Sequence, residues 1–237
     1  KKIIYILLSG LLCLHDSIVN KNMEYFAVMA GSSIIWTIVE LFLNEKKIRI
    51  IKPMKITWNN QTTMLNKYVG ISLQGMQEGG VVTIIGLYFG DRFYSIFYQC
   101  FYHLLIFYMV ANIIKKKSNT KTLSKRQINT SASLCLMSSA TFFNVLIIVN
   151  NPSHFYRELN MFLSMVYISG IWTIVSYYKK FRKVEVCLYN NDIYRQDNSM
   201  DAFLILGYDV IFEIGIAYIT FYNMFIIPYN NYIETKL

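Results

Sequence analysis

Residues 25–43 read YFAVMAGSSIIWTIVELFL, a run with a single charge, Glu40, bounded by Lys21 before it and by Lys46 and Lys47 after it. At 1.5 Å per residue a helix of that length measures about 30 Å, the thickness of bilayer hydrocarbon. Backbone polar groups in lipid must be paired within the segment, and a helix pairs them. The stretch therefore predicts a membrane-spanning helix.

Comparable blocks lie on both sides of it, at residues 3–19, 67–89, 94–114, 131–149, 159–178 and 201–227. The expectation is an all-α, polytopic integral membrane protein of seven transmembrane helices, a single transmembrane domain over residues 1–237, with the lipid bilayer as its surroundings. Composition agrees, with 54% hydrophobic residues, 16% charged and a mean hydropathy of +0.34, which excludes a soluble single-core reading. Lys1 and Lys2 before a short apolar run also fit the start of a signal peptide, but His15 and Asp16 follow instead of a small-x-small cleavage site, so the block is read as a helix. The chain starts at Lys1 without a methionine, as a processed or truncated chain would. Cys13, Cys100, Cys135 and Cys187 are far apart and show no metal-ligand spacing, and are read as small packing residues.

A net charge of +9 is compatible with nucleic-acid binding, but the positive charges sit between the apolar blocks. Membrane orientation explains them, and no nucleic-acid partner is expected. With the N-terminus in the cytoplasm, the inner segments hold Lys1 and Lys2; Lys46, Lys47, Arg49, Lys52, Lys55 and Lys67; Lys115, Lys116, Lys117, Lys121, Lys125 and Arg126; and Lys179, Lys180, Arg182, Lys183 and Arg195. That is 19 of the 23 basic residues, leaving Lys21, Arg92, Arg157 and Lys236 outside. Cationic loops resist translocation, so the N-terminus is placed in the cytoplasm and the C-terminus outside. The sequons at Asn60 and Asn129 then fall in cytoplasmic loops and are accidental.

An internal repeat organises the chain further. Ile35-Trp36-Thr37-Ile38-Val39 recurs as Ile171-Trp172-Thr173-Ile174-Val175, with Ser33 and Ser169 ahead of the two copies, an offset of 136 residues. At an offset of 135, Gln74-xxx-Glu78-x-Gly80 falls on Asp209-xxx-Glu213-x-Gly215. The halves 1–92 and 131–237 read as parallel copies joined by the helix 94–114, related by an axis along the membrane normal. This three-one-three plan resembles the SWEET-type transporters in topology only; the chain has no Pro-Gln loop motif, and the resemblance assigns no residues.

The same two segments hold the candidate site. Glu78 lies eleven residues after Lys67 and thirteen before Asp91, near the middle of its block, and Glu213 is similarly placed in the last one. An ionised carboxylate at bilayer depth is unfavourable by several kcal/mol, so each is expected to face protein or a wet cavity and to hold a proton or a partner. Gln74 and Asp209 precede them by four positions on the same helix face. Gln77 adds an amide, and Gly75, Gly79 and Gly80 permit close backbone approach. Tyr208, beside Asp209, and His103, which can relay protons or pair with Glu78, complete the set. Glu40 is read as snorkelling toward Lys46 or Lys47, His15 and Asp16 as solvated, and Asp91-Arg92 as a loop pair.

Several functions are excluded. The last block has no lysine for a retinal Schiff base, Asn151-Pro152 falls in an outer loop, and no HExxH, GxSxG or Walker sequence occurs. The expectation is a proton- or cation-linked small-solute transporter or ion-permeation protein, with Glu78, Asp209 and Glu213 as binding carboxylates and Gln74 and Gln77 as orienting amides. Carboxylate and amide oxygens suit protons, Na⁺, hard divalent ions or amine-bearing solutes, and no cofactor is specified. Two alternatives use the same residues: a membrane-embedded enzyme acting on a lipid, with the acids and His103 as general acid and base, and a non-catalytic scaffold in which they join helices.

Overall fold

The computed structural model describes residues 2–45, 54–59, 61–115, 124–126, 130–179, 182–187, 194–196, 203 and 206–235. The basic residues Lys1, Lys46, Lys47, Arg49, Lys52, Lys116, Lys117, Lys121, Lys180 and Lys236, and the sequon asparagines Asn60 and Asn129, lie outside them. The described chain is mostly helical, in seven helical segments. Helix α1 is Lys2–Asn20 and α2 is Glu24–Glu45. Helix α3 is composite: α-helical Lys67–Gly75, π-helical Met76–Val81 and α-helical Val82–Asp91. Then come α4 (Ile96–Lys115), α5 (Thr130–Asn150) and, after a 3₁₀ turn at Pro152–His154, α6 (Phe155–Tyr178). Helix α7 has a π-helical part, Asp209–Ile216, and an α-helical part, Ala217–Glu234.

Five of these, α1, α2, α4, α6 and α7, are long and apolar enough to cross a membrane. The chain is an integral membrane protein by that measure, and the distribution of side chains agrees. Helix α1 exposes Ile4, Leu7, Leu8, Leu11, Leu14 and Ile18 while burying Ser9, Cys13 and Asp16. A helix of a water-soluble protein does the reverse; an apolar outside and a polar inside is the arrangement lipid favours. Helix α4 likewise exposes Phe97, Phe101, Leu104 and Phe107.

The expected helix boundaries agree within a few residues except in α7, which continues to Glu234 through Pro228, seven residues past its expected end. Proline removes one backbone donor, and membrane helices tolerate it where neighbours re-satisfy the freed carbonyl. Two features depart from an all-helix reading. The segment between α2 and α3 forms an antiparallel hairpin of β1 (Lys55–Trp58) and β2 (Gln61–Met64). Strand β4 (Arg182–Cys187) lies between a parallel neighbour, β3 (Ser124–Arg126), and an antiparallel one, β5 (Tyr194–Gln196).

The chain divides into two compact units. The first comprises residues 1–88 and 221–237, and its core gathers Cys13, Tyr25, Val28, Ile84, Leu87 and Tyr222. In it α2 runs antiparallel to α3 and to the end of α7: Gly31 meets Phe225, Trp36 packs edge-on against Phe221, and the Met23 amide donates to the Tyr229 hydroxyl at 3.0 Å. The second unit comprises residues 89–220, with Phe89, Tyr102, Ile106, Met161, Met165 and Val210 inside. Its helices close on one another through Gly90, which abuts the Met161 backbone, and through Phe89 stacked on Tyr102 at 4.3 Å.

Candidate functional site

The site in the first unit follows from three glycines. Gly75, Gly79 and Gly80 face α2 at Thr37, at the Ser32 carbonyl and Trp36, and at Ser33 and Met29, with no room for a Cβ at any of the three. Small residues at this spacing let two membrane helices touch backbone to backbone. That proximity brings the Trp36 indole to α3, where its Nε1–H donates to Glu78 Oε2 at 3.3 Å. Gln74 donates through Nε2 to Glu78 Oε1, and the Lys2 ammonium at the start of α1 donates to Gln74 Oε1. Lys2, Gln74, Glu78 and Trp36 thus form one chain of polar groups across α1, α3 and α2.

Glu78 also sits inside the π-helical segment, where the wider turn displaces backbone groups from their α-helical partners. The Gly79 carbonyl accepts from Thr83 Oγ1 at 2.5 Å and from the Val82 amide. The expected pairing of Gln74 with Glu78 is therefore present, Trp36 and Lys2 extend it, and Gln77 is half-buried beside it without a side-chain hydrogen bond among the described residues.

Two expectations for other polar residues of this unit are corrected, those for Glu40 and Asp16. Glu40 is fully buried, not snorkelling, because its side of α2 is packed against protein. Asp16 is also fully buried and accepts from Asn20 Nδ2 at 2.9 Å, so it is not solvated, while His15, half-buried, meets the Tyr88 hydroxyl through Nδ1 at 3.1 Å. The signal for Asp16 was present in the sequence: Ser9, Cys13 and Asp16 recur at the spacing of one helix face and are the polar or small members of an otherwise apolar block. Glu24, at the start of α2, is buried too.

In the second unit, Asp209 opens the π-helical part of α7 and is buried. Tyr208 stacks on Phe212 with centroids 5.2 Å apart, and Glu213 lies within the same segment. Gly215 packs against Phe162 and Val166 of α6. The carbonyl of Ile216, the last π-helical residue, accepts from Asn144 Nδ2 of α5 at 3.2 Å and from Thr220 Oγ1 at 3.1 Å. His103 belongs to this unit while Glu78 belongs to the other. Its ring nitrogens contact the Gln99 carbonyl at 2.7 Å and the Tyr167 hydroxyl at 3.3 Å.

Asp91 ends α3 and Arg92 lies in the turn that follows. Asp91 takes a two-pronged ion pair from Arg157, both contacts at 2.7 Å, and the Arg92 guanidinium lies 5.4 Å from the centre of the Tyr98 ring. Glu158, a buried residue that the sequence reading did not single out, lies next to Arg157 in the first turn of α6.

No protein-family model, curated protein or solved structure matches the chain.

Proposed function

We propose that the chain is a seven-span membrane protein, N-terminus in the cytoplasm and C-terminus outside, that conducts or transports protons, cations or small cationic solutes through a site centred on Glu78. The observation that carries this reading is the carboxylate of Glu78, set in a π-helical turn at the middle of α3 and oriented by Trp36 and Gln74. Acids at that depth are unfavourable unless used or paired, and π-helical turns recur where a helix is opened for a ligand.

Contacts within each unit support the span count. Lys2 meets Gln74 and His15 meets Tyr88, so α3 runs parallel to α1, itself a candidate span, over about 20 Å. Asp91 is paired with Arg157, and β3 with β4, so an even number of crossings separates the members of each pair. Since α4 and α6 are candidate spans, these pairings support a crossing by α5 as well. The antiparallel contacts of α2 with the end of α7 support termini on opposite sides, and the loop charges support the inward N-terminus.

The three-one-three repeat has its own support. The two π-helical segments end at Val81 and Ile216, which are 135 residues apart, the same offset that relates Glu78 to Glu213. Each packs against the preceding IWTIV helix, α2 or α6. On this reading Asp209 and Glu213 hold, in the second copy, the positions that Gln74 and Glu78 hold in the first.

The Trp36–Glu78 hydrogen bond favours a second reading, in which the acid joins α2 to α3 and moves nothing. Flux measurements on protein reconstituted in liposomes separate the two. Transport predicts cation- or proton-driven flux in the wild type that drops at least about tenfold in Glu78→Gln and in Asp209→Asn. Wild-type flux across a panel of ions in a stably folded Glu78→Gln variant would sink the transport reading.

A further inference from the structure

In the second unit, α4 and α6 border a cleft of about 320 Å³ walled by the rings of Phe93, Tyr102 and Tyr167 and by Gln99, His103 and Ser164. The ion pair of Asp91 with Arg157 and the hydrogen bond from the Tyr102 hydroxyl to the Ser164 carbonyl hold its two sides together. Its rim, at His103 and Tyr167, is exposed on the outside of the helices.

The polar groups of the cleft are an amide, an imidazole and hydroxyls, with no carboxylate, ammonium or guanidinium among them. A carbonyl only accepts, so the 2.7 Å contact with Gln99 puts a proton on His103 Nδ1, while Nε2 meets the Tyr167 hydroxyl at 3.3 Å. Ser164 is 2% exposed, and its hydroxyl oxygen has no hydrogen-bond partner among the described residues. Gln99 uses its Nε2 on the Arg92 carbonyl at 3.4 Å, which leaves its Oε1 as an acceptor. A buried hydroxyl without a partner is destabilising by about 1–3 kcal/mol, and an incoming group that bonds to it recovers that loss. No Asp, Glu, Lys or Arg lines the cleft, so a phosphate head would gain no counter-charge there.

Depth narrows the ligand further. Gln99 and His103 come three and seven residues after Ile96, the first residue of a candidate span, about 5–10 Å along the helix. A head group at Gln99 therefore sits at the boundary of the hydrocarbon, with the body of its lipid lying deeper, against Tyr102 and Tyr167. Aromatic walls suit a rigid, flat body, which loses little conformational entropy on packing.

We propose that this cleft is a binding site for an uncharged polycyclic lipid alcohol of the sterol type, its hydroxyl held by Gln99, Ser164 and Tyr167. The site is separate from Glu78 and does not depend on transport. The test uses the full chain in phosphatidylcholine nanodiscs, a diazirine-bearing sterol as the photoreactive probe, and peptide mapping of the adducts. Adducts should concentrate on residues 93–103 and 163–167 and be competed by unlabelled cholesterol but not by phosphatidic acid or diacylglycerol. Ser164→Ala and Gln99→Leu should each reduce labelling about five- to tenfold, the equivalent of one lost hydrogen bond. Gln99 is half-buried at the helix surface, so Gln99→Leu serves if Ser164→Ala does not fold. Adducts spread evenly along α4 and α6, competition by phosphatidic acid or diacylglycerol, or labelling unchanged in the folded Gln99→Leu variant would each overturn the proposal.

Discussion

At the scale of single residues, the indole of Trp36 is the least expected part of the site. The sequence shows Trp36 only as one letter of a repeated pentapeptide, whereas Glu78 announces itself as a charge in the middle of an apolar block. That the two meet depends on how α2 is rotated, and no local signal reports rotation. Trp36→Phe removes the N–H and leaves a ring to pack on Phe221. It should lower stability in detergent by about 1 kcal/mol, the usual net value of one such bond in a membrane protein. A thermal or denaturant unfolding midpoint identical to wild type would show that the 3.3 Å contact contributes nothing. Glu40 and Asp16 teach a related lesson. Their positions near the ends of apolar blocks suggested access to water, yet both are enclosed, because a helix end in a bundle has a protein-facing side as well as a solvent-facing one.

At the scale of elements, helices were legible because lipid imposes length and apolarity together. The strands were not, since Arg182–Cys187 alternates valine with charge over too few residues to stand out from a polar loop. Nor were the π-helical turns, which leave no periodic signature in six to eight residues. The glycines that accompany them were legible, and they divide into two kinds. Gly79 faces the Ser32 carbonyl and Trp36 with no space for a Cβ, whereas Gly10 has nothing within 4 Å. Gly79→Ala must push α2 away from α3 and should lower stability by about 1–3 kcal/mol, the usual effect of overpacking. It should also weaken the Trp36–Glu78 contact and with it any flux. Gly10→Ala should be neutral or stabilising by up to about 1 kcal/mol through helix propensity. Paired unfolding curves check both, and equal effects would mean that α2 and α3 are not packed through these glycines.

At the scale of the whole molecule, the proposal of seven spans rests on α3 and α5, the two helices outside the five long apolar ones. A charged residue at a helix centre opposes insertion by about 2.5–3.5 kcal/mol, and α3 adds two glutamines to its Glu78. It would not enter lipid alone; α2 covers its polar face through the glycine contact and supplies a donor to the acid. The expectation is that α3 crosses only as a partner of α2, and this makes a topology experiment decisive. With the native cysteines replaced, single reporters at Gln61→Cys and Tyr94→Cys bracket α3, and Lys125→Cys and Ser153→Cys bracket α5. A membrane-impermeant maleimide applied to intact cells should label the Tyr94 and Ser153 reporters at once, and the Gln61 and Lys125 reporters only after permeabilisation. Labelling of the Gln61 and Tyr94 reporters from one side would remove α3 from the membrane, and with it the midplane position of Glu78. Labelling of the Lys125 and Ser153 reporters from one side would remove α5 and put β3 and β4 on opposite faces of the bilayer, where their hydrogen bonds are impossible. Adding Gly79→Ala to the Tyr94 reporter should then lower its labelling in intact cells, because an α3 that has lost its cover no longer carries residue 94 across.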